Sequence, residues 1–150
     1  RHKAIFMKQM LEKHRDKRLL YVDCDAIIRK VPVLFADPNY SCDIAVRWQD
    51  FRWRKNECLS GTIYMENNPR THRLCELWAE HNVSDKDQKK GMEQWNLDKA
   101  ITVMKDEGLI VNNLPPEYTF IFDSMKKMYP RAQPVIEHFQ ASRKARKIKP

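Results

Sequence analysis

The sequence predicts an α/β domain in which a mixed sheet is flanked by helices, and three observations predict it. Short apolar runs of strand length recur at 19–22, 42–46, 59–65, 109–111 and 134–139. Segments whose apolar residues fall at helical spacing lie before and between them, at 4–14, 69–81 and 97–104. The opening order of helix, short connection and strand is half of a βαβ unit.

Ala4, Met7, Leu11 and His14 share one helical face, with Phe6 and Met10 beside it. Asp16-Lys17-Arg18 breaks that pattern and Leu19-Leu20-Tyr21-Val22 begins a strand, expected to be the central one. Ala26 to Ile28 stays apolar and then turns at Pro32; a turn cluster at 36–39 precedes a second strand at 42–46. Trp48 to Asn56 mixes aromatics with cations and reads as an ordered surface loop suited to stacking on a base or sugar, or as an amphipathic cover on the core. A strand follows from Leu59 to Met65, entered through Ser60-Gly61, where glycine permits close backbone approach. Asn68-Pro69 is a helix start, with Asn as N-cap and Pro at the first helical position, and Leu74, Leu77, Trp78 and His81 form the stripe that follows. His81 reads as a helix-end histidine. A polar, basic loop is expected over 83–91. A further helix carries Leu97, Ala100, Ile101 and Met104 and stops at Gly108. Short strands at 109–111 and 134–139, with an apolar stretch at 118–122, complete the domain.

The 150 residues suffice for one domain with a core, taken as 1–142 with a basic tail at 143–150. No stretch reaches membrane-spanning length and no signal peptide opens the chain. Cys24, Cys42, Cys58 and Cys75 lie 16 to 18 residues apart with no C-x-x-C pair, which is neither a zinc nor a disulfide pattern. Free thiols, and hence a cytoplasmic setting, are the expectation. The net charge of +8 is concentrated at the two ends and favours anionic partners.

The chemistry centres on Asp23 and Asp25, two carboxylates one residue apart at the end of an apolar strand. In extended chain both face one side, at the strand end where open α/β sheets bind ligands. Two hard oxygen donors there suit a divalent cation that keeps positions open for phosphate oxygens. Taken alone, the pattern is more often that of a solvated strand end or a turn.

The order of features resembles the metal-dependent GT-A-fold glycosyltransferases, the nucleotide-diphospho-sugar transferases, whose fold is Rossmann-like. The resemblance rests on YVDCDAII (21–28), DIAV (43–46), LSGTIYMEN (59–67), EQWNLDKAI (93–101), LPPEY (114–118) and VIEHFQAS (135–142). It implies transfer of a sugar from a nucleotide-diphosphate donor with Mn²⁺ or Mg²⁺ held by Asp23, Asp25 and the late His138. It places Ser60 and Gly61 at the donor-sugar and acceptor site, Glu93 and Gln94 at an acidic-Gln pair preceding the helix beneath the sugar, and Lys3, Arg143 and Lys144 near the diphosphate. An inverting course needs a carboxylate base, for which Glu93 and then Asp98 are the candidates. The family's first nucleotide-binding strands would precede Ala4, so the chain reads as an N-terminally truncated member. Two alternatives stand beside it: a non-catalytic nucleic-acid-binding protein using the basic ends and the Trp48–Lys55 loop, and another metal-dependent phosphoryl-transfer enzyme.

Overall fold

The computed structural model describes residues 2–52, 54–84 and 92–139. It is a mixed α/β fold with two mixed sheets. In chain order the elements are α1 (Lys3–Lys13), β1 (Leu19–Val22), β2 (Ala26–Ile28), β3 (Ile44–Phe51), β4 (Arg54–Met65), α2 (Pro69–Ser84), α3 (Met92–Asp106), β5 (Val111–Asn113), β6 (Phe120–Ile121), α4 (Met125–Met128) and β7 (Ile136–His138). Single 3₁₀ turns occupy Val33–Ala36 and Pro116–Thr119. The larger sheet has the order β1-β4-β3-β5, with β5 parallel to β3 and the other pairs antiparallel. The smaller has the order β2-β7-β6, with β2 antiparallel and β6 parallel to β7.

The helices form where the apolar spacing places them. Ala4, Met7 and Leu11 of α1 are buried, as are Leu74 and Trp78 of α2 and Leu97, Ala100, Ile101 and Met104 of α3. These side chains pack on Ile44, Val46, Ile63 and Met65 of β3 and β4 in one cluster, so the three helices cover one face of the larger sheet. The alternation of β4 sends Tyr64 to the opposite face, where it joins Ala45, Leu114, Tyr118 and Ile136. Asn68 caps α2 as expected: its Oδ1 accepts the N–H groups of Arg70 at 3.0 Å and Thr71 at 3.1 Å. Gly108, at φ +85°, ends α3, and the Leu109 N–H returns to the Met104 carbonyl at 2.9 Å.

Three expectations are corrected. β1 is an edge strand among the described residues, paired with β4 alone and half-buried along its length; it is not the central strand. Asp23-Cys24-Asp25 is not extended: the Ala26 N–H closes on the Asp23 carbonyl at 3.1 Å, so the carboxylates project from a turn between β1 and β2. The segment from Trp48 is not a surface loop. Residues 48–51 continue β3 and 54–56 begin β4, a hairpin in which Phe51 is buried and the Trp48 indole N–H donates to Asp98 at 2.7 Å. A register shift between Gln49 and Phe51 breaks the two-residue alternation that marks a strand in sequence, and the cations mask what remains. Trp53, the loop at 85–91 and the tail at 143–150 lie outside the described residues; Val83 and Ser84 belong to α2.

No described helix is long and apolar enough to cross a membrane. All four cysteines are free, and three are buried. Burial pushes the Cys42 thiol up to about 11 and the Cys75 thiol up to about 12, so both stay protonated at neutral pH.

Candidate metal centre

The chain passes from one sheet to the other through Asp23-Cys24-Asp25, and that crossing builds the site. β1 delivers Asp23, whose N–H donates to the Gly61 carbonyl of β4 at 2.9 Å. Ala26, first residue of β2, lies opposite His138 in the β2–β7 ladder, and the Phe139 N–H donates to the Asp25 carbonyl at 3.1 Å. The smaller sheet thereby carries a histidine from the far end of the chain to the turn. Asp23, Asp25 and His138 each offer a ligand atom, and the three atoms lie within 4.8 Å of one another.

The surroundings fit a cation. His138 is 4% exposed. Its Nε2 lies 2.8 Å from the hydroxyl oxygen of the fully buried Thr62, and its Nδ1 lies 4.0 Å from Asp25 Oδ1. In the tautomer whose Nε2–H donates to Thr62, Nδ1 presents its lone pair toward the carboxylates, as a metal ligand needs. Burial lowers the His138 pKa, Asp23 and Asp25 pull it back up, and Lys3 lowers it again; the net direction is down. The ring is therefore neutral at neutral pH.

Gly61 makes the convergence possible. A Cβ at this position would stand 2.9 Å from His138 Cε1, 3.1 Å from His138 Nδ1 and 3.4 Å from Asp23 Oδ2. The missing side chain leaves a cradle that the imidazole and one carboxylate oxygen share.

These groups open on a cavity of about 150 Å³ lined by Asp23, Asp25 and His138 together with Leu59, Ser60, Gly61, Gln94, Thr119 and Ile121. The structure thus brings together Asp23, Asp25, His138, Ser60, Gly61 and Gln94 of the expected set. Glu93 and Asp98 do not line this cavity. Both sit within α3, Glu93 and Gln94 in its first turn instead of ahead of the helix. Glu93 Oε1 accepts the Lys3 backbone N–H at 3.2 Å, and Asp98 holds the Trp48 indole. Lys3 directs its ammonium at Asp23 and Ser60. Arg143 and Lys144 lie outside the described residues.

Sequence reasoning missed the supporting residues: Thr62 behind His138, Tyr21 behind Asp23, and Thr119 and Ile121 in the wall. Thr62 had a signal, since it follows the glycine already marked for close approach and is polar within an apolar strand. Comparison with protein-family models and with curated proteins returns no match for this chain.

Proposed function

We propose that this protein is a metal-dependent glycosyltransferase of the GT-A type, moving a sugar from a nucleotide-diphosphate donor to an acceptor. The observation that carries the reading is the convergence of Asp23, Asp25 and His138 within 4.8 Å at the end of an apolar strand, from three positions that the family pattern marks in sequence. The mixed α/β architecture is compatible with it.

In this reading Asp23, Asp25 and His138 hold Mn²⁺ or Mg²⁺. One imidazole nitrogen beside two carboxylates favours Mn²⁺ over Mg²⁺, which binds almost wholly through oxygens. When bound, the ion supplies Lewis-acid charge against the departing diphosphate. The chain's own residues do the rest. Ser60, Thr119 and Gln94 bring hydroxyl- and amide-bearing residues to the cavity lining, and Leu59 and Ile121 add apolar wall. The cavity is smaller than the roughly 300–1,000 Å³ of pockets that enclose drug-sized ligands. It suits a diphosphate or a single sugar, with the nucleoside outside. Gln94 is steadied by Glu57, whose Oε1 accepts its amide N–H at 2.6 Å.

The test is donor turnover. With Mn²⁺ and a panel of nucleotide-diphospho-sugars, the protein is expected to release the nucleoside diphosphate from one of them as water takes the sugar in place of the acceptor, and EDTA stops the release. Orthophosphate release from nucleoside triphosphates, with every nucleotide-sugar left intact, would assign the centre to phosphoryl transfer instead.

A further inference from the structure

Lys3 is placed where a phosphate ligand would be expected, yet its ammonium has no hydrogen to spare. Its Nζ lies 3.0 Å from Asp23 Oδ1, 2.8 Å from the Ser60 carbonyl and 3.4 Å from Ser60 Oγ, three acceptors for three N–H groups. Its side chain is only 11% exposed, and the ammonium sits over the Tyr21 ring, 4.7 Å from the centroid. The Tyr21 hydroxyl donates to the same Asp23 Oδ1 at 2.8 Å. One oxygen of Asp23 is thus taken by two donors. The other, Oδ2, faces the Gly61 cradle that it shares with His138 Nδ1.

We propose that Lys3 and Tyr21 are positioning residues: they clamp Asp23 Oδ1 so that Oδ2 alone is offered to the cation, and the fixed charge of Lys3 biases the centre toward a cation paired with a diphosphate over the bare cation. This rests on the reading of the centre as one that takes both. The charge count gives the bias. Asp23 and Asp25 with a neutral His138 and Lys3 carry −1, and a divalent cation turns that to +1, which attracts the diphosphate. Without Lys3 the groups carry −2, the bare cation is held harder, and the loaded centre is neutral. A charge this close acts through partly buried surroundings where screening is weak.

The experiment measures two affinities by calorimetry on the wild type, Lys3→Met and Tyr21→Phe: Mn²⁺ alone, and inorganic pyrophosphate at saturating Mn²⁺. In Lys3→Met the Tyr21 hydroxyl still holds Asp23 Oδ1, so the removed positive charge outweighs the one lost clamp donor: bare Mn²⁺ is expected to bind more tightly, by up to roughly tenfold, and pyrophosphate roughly tenfold more weakly. Tyr21→Phe, which changes no charge, is expected to bind Mn²⁺ roughly tenfold more weakly, in the range found for lost outer-shell partners. A Lys3→Met protein that folds and loses both affinities together would make Lys3 merely structural and overturn the charge bias. Unchanged Mn²⁺ affinity in Tyr21→Phe would overturn the clamp. A wild type that binds no Mn²⁺ would overturn the metal reading itself, which separates that failure from failure of the inference.

Discussion

Gly61→Ala is expected to lower Mn²⁺ affinity at the proposed centre by roughly 10–100-fold while the fold persists. The added methyl would stand 2.9 Å from His138 Cε1, closer than carbon tolerates, and a tight 3.1 Å from Nδ1, so the imidazole has to move. It has nowhere to go without loss. The ring is buried and its Nε2 is held at the Thr62 hydroxyl at 2.8 Å, so a shift away from Gly61 stretches that bond and displaces Nδ1 relative to the carboxylates. The expected stability cost of the crowding is about 1–3 kcal/mol, read as a shift in the denaturant midpoint. Gly108→Ala is the internal control. It carries φ +85° with nothing within 4 Å of the new methyl, so it strains the end of α3 by about 1 kcal/mol and leaves Mn²⁺ affinity unchanged. Equal losses of metal affinity in the two variants would contradict the steric account.

Asp43→Ala destabilises the fold by about 3 kcal/mol, a fall in Tm of roughly 6–12 °C. Asp43 is 3% exposed at the start of β3 and ties three elements together. Its carboxylate accepts from Arg70 Nε at 2.7 Å and Nη2 at 2.9 Å, from Asn68 Nδ2 at 2.7 Å and from the Ile110 N–H at 2.8 Å. The start of α2 and the approach to β5 are therefore anchored on one buried charge, and its removal leaves the half-exposed Arg70 guanidinium, the part-buried Asn68 amide and the Ile110 N–H without their shared acceptor. Burial pushes the carboxyl pKa up, but Arg70, the Ile110 N–H and Asn68 outweigh it and hold the value below the usual 3.8. A depressed folded-state pKa gives stability that is complete above the unfolded value and lost as pH falls through the folded one. Thermal unfolding followed from pH 5 downward is expected to show this loss in the wild type and less of it in Asp43→Asn.

These two residues also show what the sequence makes legible. Gly61 could be marked in advance because a lone glycine inside an apolar strand has few purposes other than close approach. Asp43 could be marked only as the acidic start of a strand. Its partners Asn68, Arg70 and Ile110 lie 25, 27 and 67 residues away, and no local pattern encodes them. The helices were legible because their stripes face a single core at fixed spacing. The β3–β4 hairpin was not, because a register shift and interleaved cations broke its alternation. The convergence of Asp23 and Asp25 was anticipated from a strand geometry that the chain does not use. It arises from a turn, and two carboxylates one residue apart can meet by either route. His138 is reached in sequence only through the resemblance, since it is the β2–β7 ladder that brings it to the turn. The edge position of β1 depends on strand pairing, which its own four residues do not specify.

The central claim is that Asp23, Asp25 and His138 form one metal centre serving a nucleotide diphosphate. Its most direct test is a calorimetric titration of Mn²⁺, followed by a panel of nucleoside diphosphates, on the wild type and on Asp25→Asn. The account predicts Mn²⁺ binding with one site per chain, metal-dependent binding of a nucleoside diphosphate, and loss of both in Asp25→Asn without a change in thermal stability large enough to signal unfolding. Mn²⁺ binding of equal strength in the two proteins would place the cation elsewhere and contradict it.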